Sequence, residues 1–341
     1  MAAVDLNRFR VRKSISLDAA PAAILAHPDA ARPKAYAWAP EGAAVYEIDA
    51  ESLAISRSVR AGGQGVAMRA SPRADALWVL CREPAALVEL PLASLRPARR
   101  IPLPAPPDAF DLSADGRAAI ASRQGRAVFI VSLARGVLER TAGFASEPSL
   151  VAFRWDGKQL IAGSAPERSL TIVDVPTGKA VVRLPLPLAP RHFCFNADGG
   201  QLFVTGDGMD AVVIAFPYTT EVDQTVLAGR APGAMAVTDT SPSYLLMANP
   251  EDNAVTVLDV DTRRLVAVVR VGQAPGEIVI TPDKQYALVL NQKSGDMAVI
   301  RRQSFSEPWV RRYKSASLFT MIPVGERPVG AAVVRVGKSP A

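Results

Sequence analysis

One phrase of this sequence returns at a nearly constant interval along the whole chain. Its fullest form runs from Ala274 to Asp283, where an Ala-Pro-Gly start leads into a short apolar run and a Thr-Pro-Asp turn. The proline or glycine that opens the phrase stands at positions 21, 65, 107, 148, 190, 232, 275 and 328, which gives steps of 44, 42, 41, 42, 42, 43 and 53 residues. A period in the low forties built from short apolar strands is typical of one four-stranded sheet per repeat. The sequence therefore predicts an all-β, seven-bladed β-propeller of four-stranded antiparallel blades.

The repeat also bears on the number of domains. A length of 341 residues would by itself suggest two domains, but blades pack on one another, so we expect a single domain over residues 1–341. Apolar segments at 9–17 and 329–335 flank the repeats. A ring closed by N- and C-terminal strands leaves no open edge, and we therefore expect residues 9–17 to be the outer strand of the C-terminal blade.

A turn rich in Asp, Pro and Gly follows the first strand of most repeats. Its acids are Asp29, Asp115, Asp156, Asp198 and Asp283. An aspartate side chain can bind nearby backbone N–H groups, and glycine supplies the positive φ that a tight reversal needs. Because a catalytic group has no reason to recur in repeat after repeat, we interpret these acids as structural.

The motifs Ala274-Pro275, Thr281-Pro-Asp283, Leu288-Val-Leu-Asn291 and Ala298-Val-Ile300 resemble the YVTN-type β-propeller repeat family. The resemblance covers almost the whole chain and is specific for the fold. It implies a disc of seven blades. Members include surface-layer-like proteins, relatives of lactonases and propellers that bind single-stranded DNA, and the resemblance does not select among these functions.

Composition argues against several classes of protein. No window approaches the roughly 20 apolar residues that a membrane span requires. The N-terminus lacks the apolar core of a signal peptide, so we expect a cytoplasmic protein, or an extracytoplasmic one if a signal peptide was removed. Cys81 and Cys194 are read as small apolar residues without a disulfide, and His27 and His192 are the only histidines. We therefore expect no metal and no cofactor.

Polar residues depart from the repeat at its opening positions, the two residues that follow each repeated proline or glycine. Most opening positions hold small or apolar residues. The polar candidates for ligand binding, with one residue that precedes its proline, are Asp108, Arg191, His192, Glu277 and Arg327. If the first strand of each blade is innermost, these side chains share one mouth of the axial channel, where they suit an acidic or hydroxylated small ligand. The alternative is a solvated funnel whose polar residues pair with one another.

An insertion at 301–320 accounts for the 53-residue step. Its cations and aromatic rings are Arg301, Arg302, Trp309, Arg311, Arg312, Tyr313 and Lys314. Cations interleaved with rings are the groups that bind the phosphates and bases of single-stranded nucleic acid. The alternative is a basic loop that covers the seam of the ring.

The sequence favours a non-enzymatic binding or scaffold module, a monomer that presents its channel mouth to an unknown protein partner or a small polar ligand. Two alternatives stay open. One is a lactonase-like hydrolase or lyase acting on a small metabolite at the mouth, with His192 or Glu277 as base and Arg191 as anion stabiliser. The other is single-stranded nucleic-acid binding through the insertion. No residue is assigned as catalytic.

Overall fold

Strands account for nearly all regular structure in the computed structural model of this chain, which describes residues 1–73, 75–306 and 317–337. Over these residues, seven sheets have four strands each in chain order, and an eighth sheet has two. The helical segments in the same ranges are a 3₁₀ turn at Glu41–Ala43 and the short α1 (Gln303–Ser306). Seven antiparallel meanders in succession confirm the prediction of an all-β, seven-bladed β-propeller. No helix in the described part of the chain is long and apolar enough to cross a bilayer.

The chain divides by its own contacts into two units. The first, called the four-blade unit, comprises Leu17–Pro190 and Val334–Ala341. Its strands are β3 (Ala23–Ala26), β4 (Lys34–Ala39), β5 (Ala44–Asp49) and β6 (Ala54–Arg60) in blade 1, β7 (Gln64–Ala70), β8 (Ala76–Glu83), β9 (Ala85–Pro91) and β10 (Arg99–Pro102) in blade 2, β11 (Ala109–Leu112), β12 (Arg117–Ser122), β13 (Ala127–Ser132) and β14 (Val137–Gly143) in blade 3, and β15 (Leu150–Phe153), β16 (Gln159–Ser164), β17 (Ser169–Asp174) and β18 (Ala180–Pro185) in blade 4.

The second, called the three-blade unit, comprises Met1–Ser16 and Arg191–Val333. Its strands are β1 (Ala2–Asp5) and β2 (Arg10–Ser14) in a hairpin, β19 (Ala189–Phe195), β20 (Leu202–Asp207), β21 (Ala211–Phe216) and β22 (Glu221–Leu227) in blade 5, β23 (Met235–Val237), β24 (Tyr244–Asn249), β25 (Ala254–Asp259) and β26 (Arg264–Arg270) in blade 6, and β27 (Pro275–Ile280), β28 (Tyr286–Asn291), β29 (Asp296–Arg301) and β30 (Leu318–Pro323) in blade 7. The single-domain organisation stays a prediction.

The middle strands of a blade are apolar along their whole length because both faces of the sheet are covered. β13, with the sequence AVFIVS, is buried at every position, whereas the outer strand β14 is mostly exposed. Within the four-blade unit, Tyr36 of blade 1 packs in one cluster with Leu77 and Val88 of blade 2. The same arrangement joins blades 5 and 6 and blades 6 and 7 of the three-blade unit.

The acids of the repeated turn are structural, as predicted. In four of them, one carboxylate oxygen accepts a hydrogen bond from the backbone N–H two residues ahead; these acids are Asp29, Asp156, Asp198 and Asp283. His27 belongs to the same type of turn, because its buried imidazole accepts the backbone N–H of Asp29 at Nδ1. Cys81 and Cys194 are free thiols, as expected.

The segment at 9–17 does not form the outer strand of the last blade, so this expectation was wrong. Its strand β2 pairs with β1 in a separate hairpin, and β30 is the fourth strand of blade 7. Phe9 packs edge-on against Tyr286 and Phe319, with ring centroids 5.4 and 4.7 Å apart. A strand at the edge of a blade and a strand in a separate hairpin show the same local pattern of exposed residues, so the sequence does not distinguish them. The insertion separates β30 from the preceding strands of blade 7, so the repeat pattern did not reveal it. Residues 329–335 are not in a strand.

Blade 1 contains a buried carboxylate that is fully paired. The side chain of Glu47 is only 1% exposed and accepts hydrogen bonds from Lys34 Nζ at 2.9 Å, Arg57 Nε at 3.0 Å and Ser56 Oγ at 2.6 Å. Burial alone would raise its pKa, but the hydrogen bonds from Arg57, Ser56 and Lys34 together lower it to about 2. Arg57 also donates to the carbonyl of Leu92 at 2.8 Å and so ties blade 1 to blade 2.

We predict that Glu47→Gln destabilises the protein at pH 7 by about 2–4 kcal/mol, because two cations lose a buried partner. Since the folded pKa lies below the usual value of 4.5, the difference from wild type is fully present above pH 4.5 and shrinks as the pH falls towards 2. Urea denaturation at pH 7, 4 and 3 measures this. Glu251→Gln, which removes an exposed ion pair, should change stability by less than about 1 kcal/mol. Equal effects of the two variants would contradict the prediction.

Candidate functional site

The polar residues at two opening positions are paired within their own blades. In blade 3, Arg123 Nε donates to Asp108 Oδ1 at 3.1 Å. In blade 5, Arg191 Nε donates to Asp207 Oδ2 at 2.7 Å. The partners are 15 or 16 residues apart, one at the start of the first strand and one at or just after the end of the second. The two blades thus use the same pair of positions with the charges reversed.

In blade 7 the corresponding positions hold Gly276 and Gln292, neither of which is charged. A Cβ on Gly276 would lie 2.8 Å from Nε2 of Gln292, so glycine makes room for the amide. The next residue, Glu277, is therefore the charged group of this opening loop. It lies in a β-bulge, because Pro275 pairs with Asn291 while Ile278 pairs with Val289. A bulge redirects a side chain out of the regular alternation.

Glu277 is a partly buried carboxyl group without a partner among the described residues. Burial raises its pKa to about 7, and no neighbouring charge offsets this effect. The carboxyl group therefore changes its protonation state near neutral pH. Groups with strongly shifted pKa values are concentrated at functional sites.

His192 lies beside the opening loop of the next blade. Its Nε2 is 4.0 Å from the position that a Cβ on Gly233 would take, so the opening loop of blade 6 stands within contact distance of the ring. The residue is exposed to water. Its pKa is lowered chiefly because surrounding protein displaces water, and further by the guanidinium of Arg191, while Asp207 acts in the opposite direction. The imidazole is therefore neutral at pH 7 and can donate or accept a hydrogen bond.

Blade 6 lies between the blade that carries His192 and the blade that carries Glu277. β23, which follows Gly233, lies against β27, which carries Glu277. His192 and Glu277 thus stand on the two blades that flank a loop of small residues. We call Arg191, His192, Asp207 and Glu277 the opening cluster of the three-blade unit; the name denotes their equivalent places at the openings of blades 5 and 7, and only Arg191, His192 and Asp207 interact directly with one another.

The other predicted ligand-binding residues lie elsewhere. Arg327 is exposed and has no hydrogen bond or ion pair within the described ranges. Asp108 belongs to the four-blade unit. The sequence places Arg123 and Asp207 in the loops after the second strands but did not pair them with the opening positions, although each stands 15 or 16 residues from an opening residue of opposite charge.

The predicted nucleic-acid residues are only partly described. The guanidinium of Arg301 stacks 3.9 Å from the ring centre of Phe319, and Arg302 Nε donates to the carbonyl of Lys284 at 2.8 Å. Both cations are thus engaged in packing the last blade. The remaining candidates, Trp309, Arg311, Arg312, Tyr313 and Lys314, lie outside the described residues.

Metal-binding side chains are dispersed. Over residues 1–73, 75–306 and 317–337, His, Cys, Asp and Glu do not form a group of three or more that could hold an ion. The opening cluster itself offers one imidazole, two carboxyl groups and one guanidinium. Its chemistry is that of hydrogen bonding, proton exchange and anion binding.

Comparison with known proteins supports the propeller architecture. Residues 175–308, less than half of the chain, match the family described as lactonase, 7-bladed beta-propeller. The chain is 27% identical over 128 residues to the seven-bladed beta-propeller protein Rv1057 of Mycobacterium tuberculosis, an alignment of 36% of this chain and 33% of that protein. The alignment thus spans about a third of the length of this curated relative.

Two solved structures share the fold. Kuenenia stuttgartiensis hydrazine synthase aligns with a TM-score of 0.65 and 20% identity, over 85% of this chain and 98% of that one. Dihydro-heme d1 dehydrogenase NirN in complex with DHE aligns with a TM-score of 0.80 and 17% identity, over 96% of this chain and 71% of that one. At such identities the likeness concerns the fold alone.

We predict that Glu277→Gln stabilises the protein at high pH. The folded pKa of about 7 exceeds the usual value of 4.5, so the wild-type protein loses stability as the pH rises from 4.5 to 7 and then levels off. The variant lacks this loss and should be more stable above pH 7 by about 1–3 kcal/mol. Thermal denaturation from pH 4 to 9 measures the difference. The exposed Glu326→Gln serves as control, and parallel profiles for wild type and Glu277→Gln would contradict the prediction.

Proposed function

We propose that this protein is a binding module that takes up a small hydroxylated or acidic ligand at the opening cluster of the three-blade unit. The observation that carries the proposal is Glu277, a partly buried carboxyl group with a raised pKa and no partner among the described residues. Such a group destabilises the free protein at neutral pH. A ligand that hydrogen-bonds to it recovers that cost on binding.

The neighbouring side chains define the ligand. Glu277 can donate a hydrogen bond when protonated and accept one when ionised, and neutral His192 can do either. Arg191 Nε donates a hydrogen bond to Asp207, and the remaining N–H groups of its guanidinium can bind an anionic group of the ligand. A ligand with several hydroxyl groups and one acidic group matches this set.

The family match supports the same location. The match to the lactonase, 7-bladed beta-propeller family covers residues 175–308 and therefore includes every member of the opening cluster. By analogy with that description, we propose sugar acids and their ring forms as the ligand class. The YVTN-type resemblance is compatible with this choice.

A second candidate function is hydrolysis or elimination of such a ring compound at the same cluster. The favouring observation is again the pKa of about 7 at Glu277, since a general base is most effective when its pKa is near the working pH. In this scheme Glu277 removes a proton from water, the water oxygen bonds to the ring carbonyl carbon, the ring C–O bond breaks, and the protonated Glu277 returns its proton to the leaving ring oxygen. Arg191 stabilises the anion that develops.

The test is the thermal stability of the purified protein against a panel of sugar acids, sugar lactones and short single-stranded oligonucleotides. A ligand at one hundred times its dissociation constant should stabilise the fold by about 2.7 kcal/mol. We predict that a sugar acid or lactone raises the melting temperature, and that His192→Ala and Glu277→Gln abolish the rise. The matched control, Glu326→Gln, should retain it.

The same samples separate the alternatives. Loss of a lactone signal by NMR in wild type but not in Glu277→Gln would favour the enzyme. A shift by oligonucleotides alone, falling steeply with salt, would contradict the proposal and move the function to the insertion. The absence of any shift would also contradict it and favour a scaffold for a protein partner.

A further inference from the structure

The four-blade unit contains a polar cavity of its own, formed where the opening loops of blades 3 and 4 meet the end of β8. Its volume is about 170 Å³. The lining residues are Arg82, Pro106, Asp108, Arg123, Gln124 and Glu147. The function proposed above for the opening cluster does not use this cavity.

Backbone hydrogen bonds fix the loop that carries Asp108. The backbone N–H of Asp108 donates to the carbonyl of Ala121 at 2.8 Å. The hydroxyl of Ser122 donates to the carbonyl of Pro106 at 2.7 Å. The carboxylate is therefore held at the end of β12, where Arg123 follows directly in the chain.

Asp108 holds two guanidinium groups in place. Its side chain is 10% exposed, and it accepts hydrogen bonds from the backbone N–H of Arg123 at 2.7 Å, Arg123 Nε at 3.1 Å and Arg82 Nη2 at 3.1 Å. Each guanidinium has five N–H donors and uses one of them here. The others have no protein partner in the described ranges. Two cations around one carboxylate leave a net positive wall.

Glu147 supplies the opposite charge. It is exposed, lines the same cavity, and has no hydrogen bond or ion pair with the described residues. The four charged groups thus sum to zero but are divided into a cationic wall and an anionic wall. The volume equals that of about five or six water molecules, the size of a small amino acid.

We propose that this cavity binds a small zwitterion of the amino-acid type. Its carboxylate lies on Arg82 and Arg123, and its ammonium group on Glu147. Asp108 is a positioning residue that orients both guanidinium groups without touching the ligand. This assignment is independent of the opening cluster and changes the role of Asp108 from ligand contact to support.

The experiment is calorimetric titration of the full chain with L-alanine and with L-lactate, which has a hydroxyl group in place of the ammonium group. We expect L-alanine to bind about tenfold more tightly than L-lactate. Arg82→Gln and Arg123→Gln should each weaken the binding of L-alanine about ten- to a hundredfold. Glu147→Gln should remove the preference for L-alanine over L-lactate. The control Arg96→Gln, at an exposed residue outside the cavity, should behave as wild type.

Two further variants test the supporting role. Asp108→Ala should weaken the binding of L-alanine, and Asp108→Asn, which keeps one acceptor oxygen, should retain part of the affinity that Asp108→Ala loses. Glu147 is exposed and pairs with none of the described residues, so Glu147→Gln stays informative even if an arginine variant unfolds. No binding of L-alanine up to about 10 mM, equal affinity for L-lactate, or undiminished binding by a folded Arg123→Gln would overturn the proposal.

Discussion

The burial of both faces of every blade is the constraint on which the rest of this structure depends. The middle strands carry apolar side chains in both directions, and Ile120 and Ile130 of blade 3 are completely buried. Covering one such side chain is worth about 1.5–3 kcal/mol, so a blade without neighbours would expose far more apolar surface than it could tolerate. Each blade must therefore match the next in strand length and register. This requirement explains why the repeat barely varies in period outside the insertion and why a charged side chain inside a middle strand, such as Glu47 in β5, is fully paired.

The opening positions show how much variety the constant frame allows. The same two positions hold Asp108 and Arg123 in blade 3, Arg191 and Asp207 in blade 5, and a glycine with a glutamine in blade 7. The backbone geometry brings the pair together in each case. The blades differ in the charge that remains available to contact a ligand. Blade 3, together with Arg82 of blade 2, has an excess of guanidinium groups. Blade 7 has a carboxyl group on a bulge that pairs with none of the described residues.

Two glutamates illustrate how neighbours decide the role of a buried charge. Both Glu47 and Glu277 are withdrawn from water, yet the pKa of the first falls to about 2 and that of the second rises to about 7. Burial acts in the same direction on both. Glu47 is surrounded by donors that stabilise its charge and so contributes to the cohesion of blades 1 and 2. Among the described residues Glu277 has no such donor, so its charge is costly for stability. Groups of this kind are common at binding and catalytic sites.

The sequence by itself determined the number of blades, the apolar middle strands and the structural turn acids, and it offered three of the four members of the opening cluster as candidates. These features depend on local periodicity, which repeats in every copy and can be compared by counting. The tertiary structure decided that β30 completes blade 7 and that residues 9–17 form part of a hairpin. It also decided that Asp108 is paired with two arginines and that Glu277 has no partner in the part of the chain that the structure describes. The physical reason is that such outcomes depend on contacts between side chains that are 15 or more residues apart in the sequence. They also depend on how much water the surrounding protein displaces from a charged group. Neither quantity is present in the order of residues along one strand.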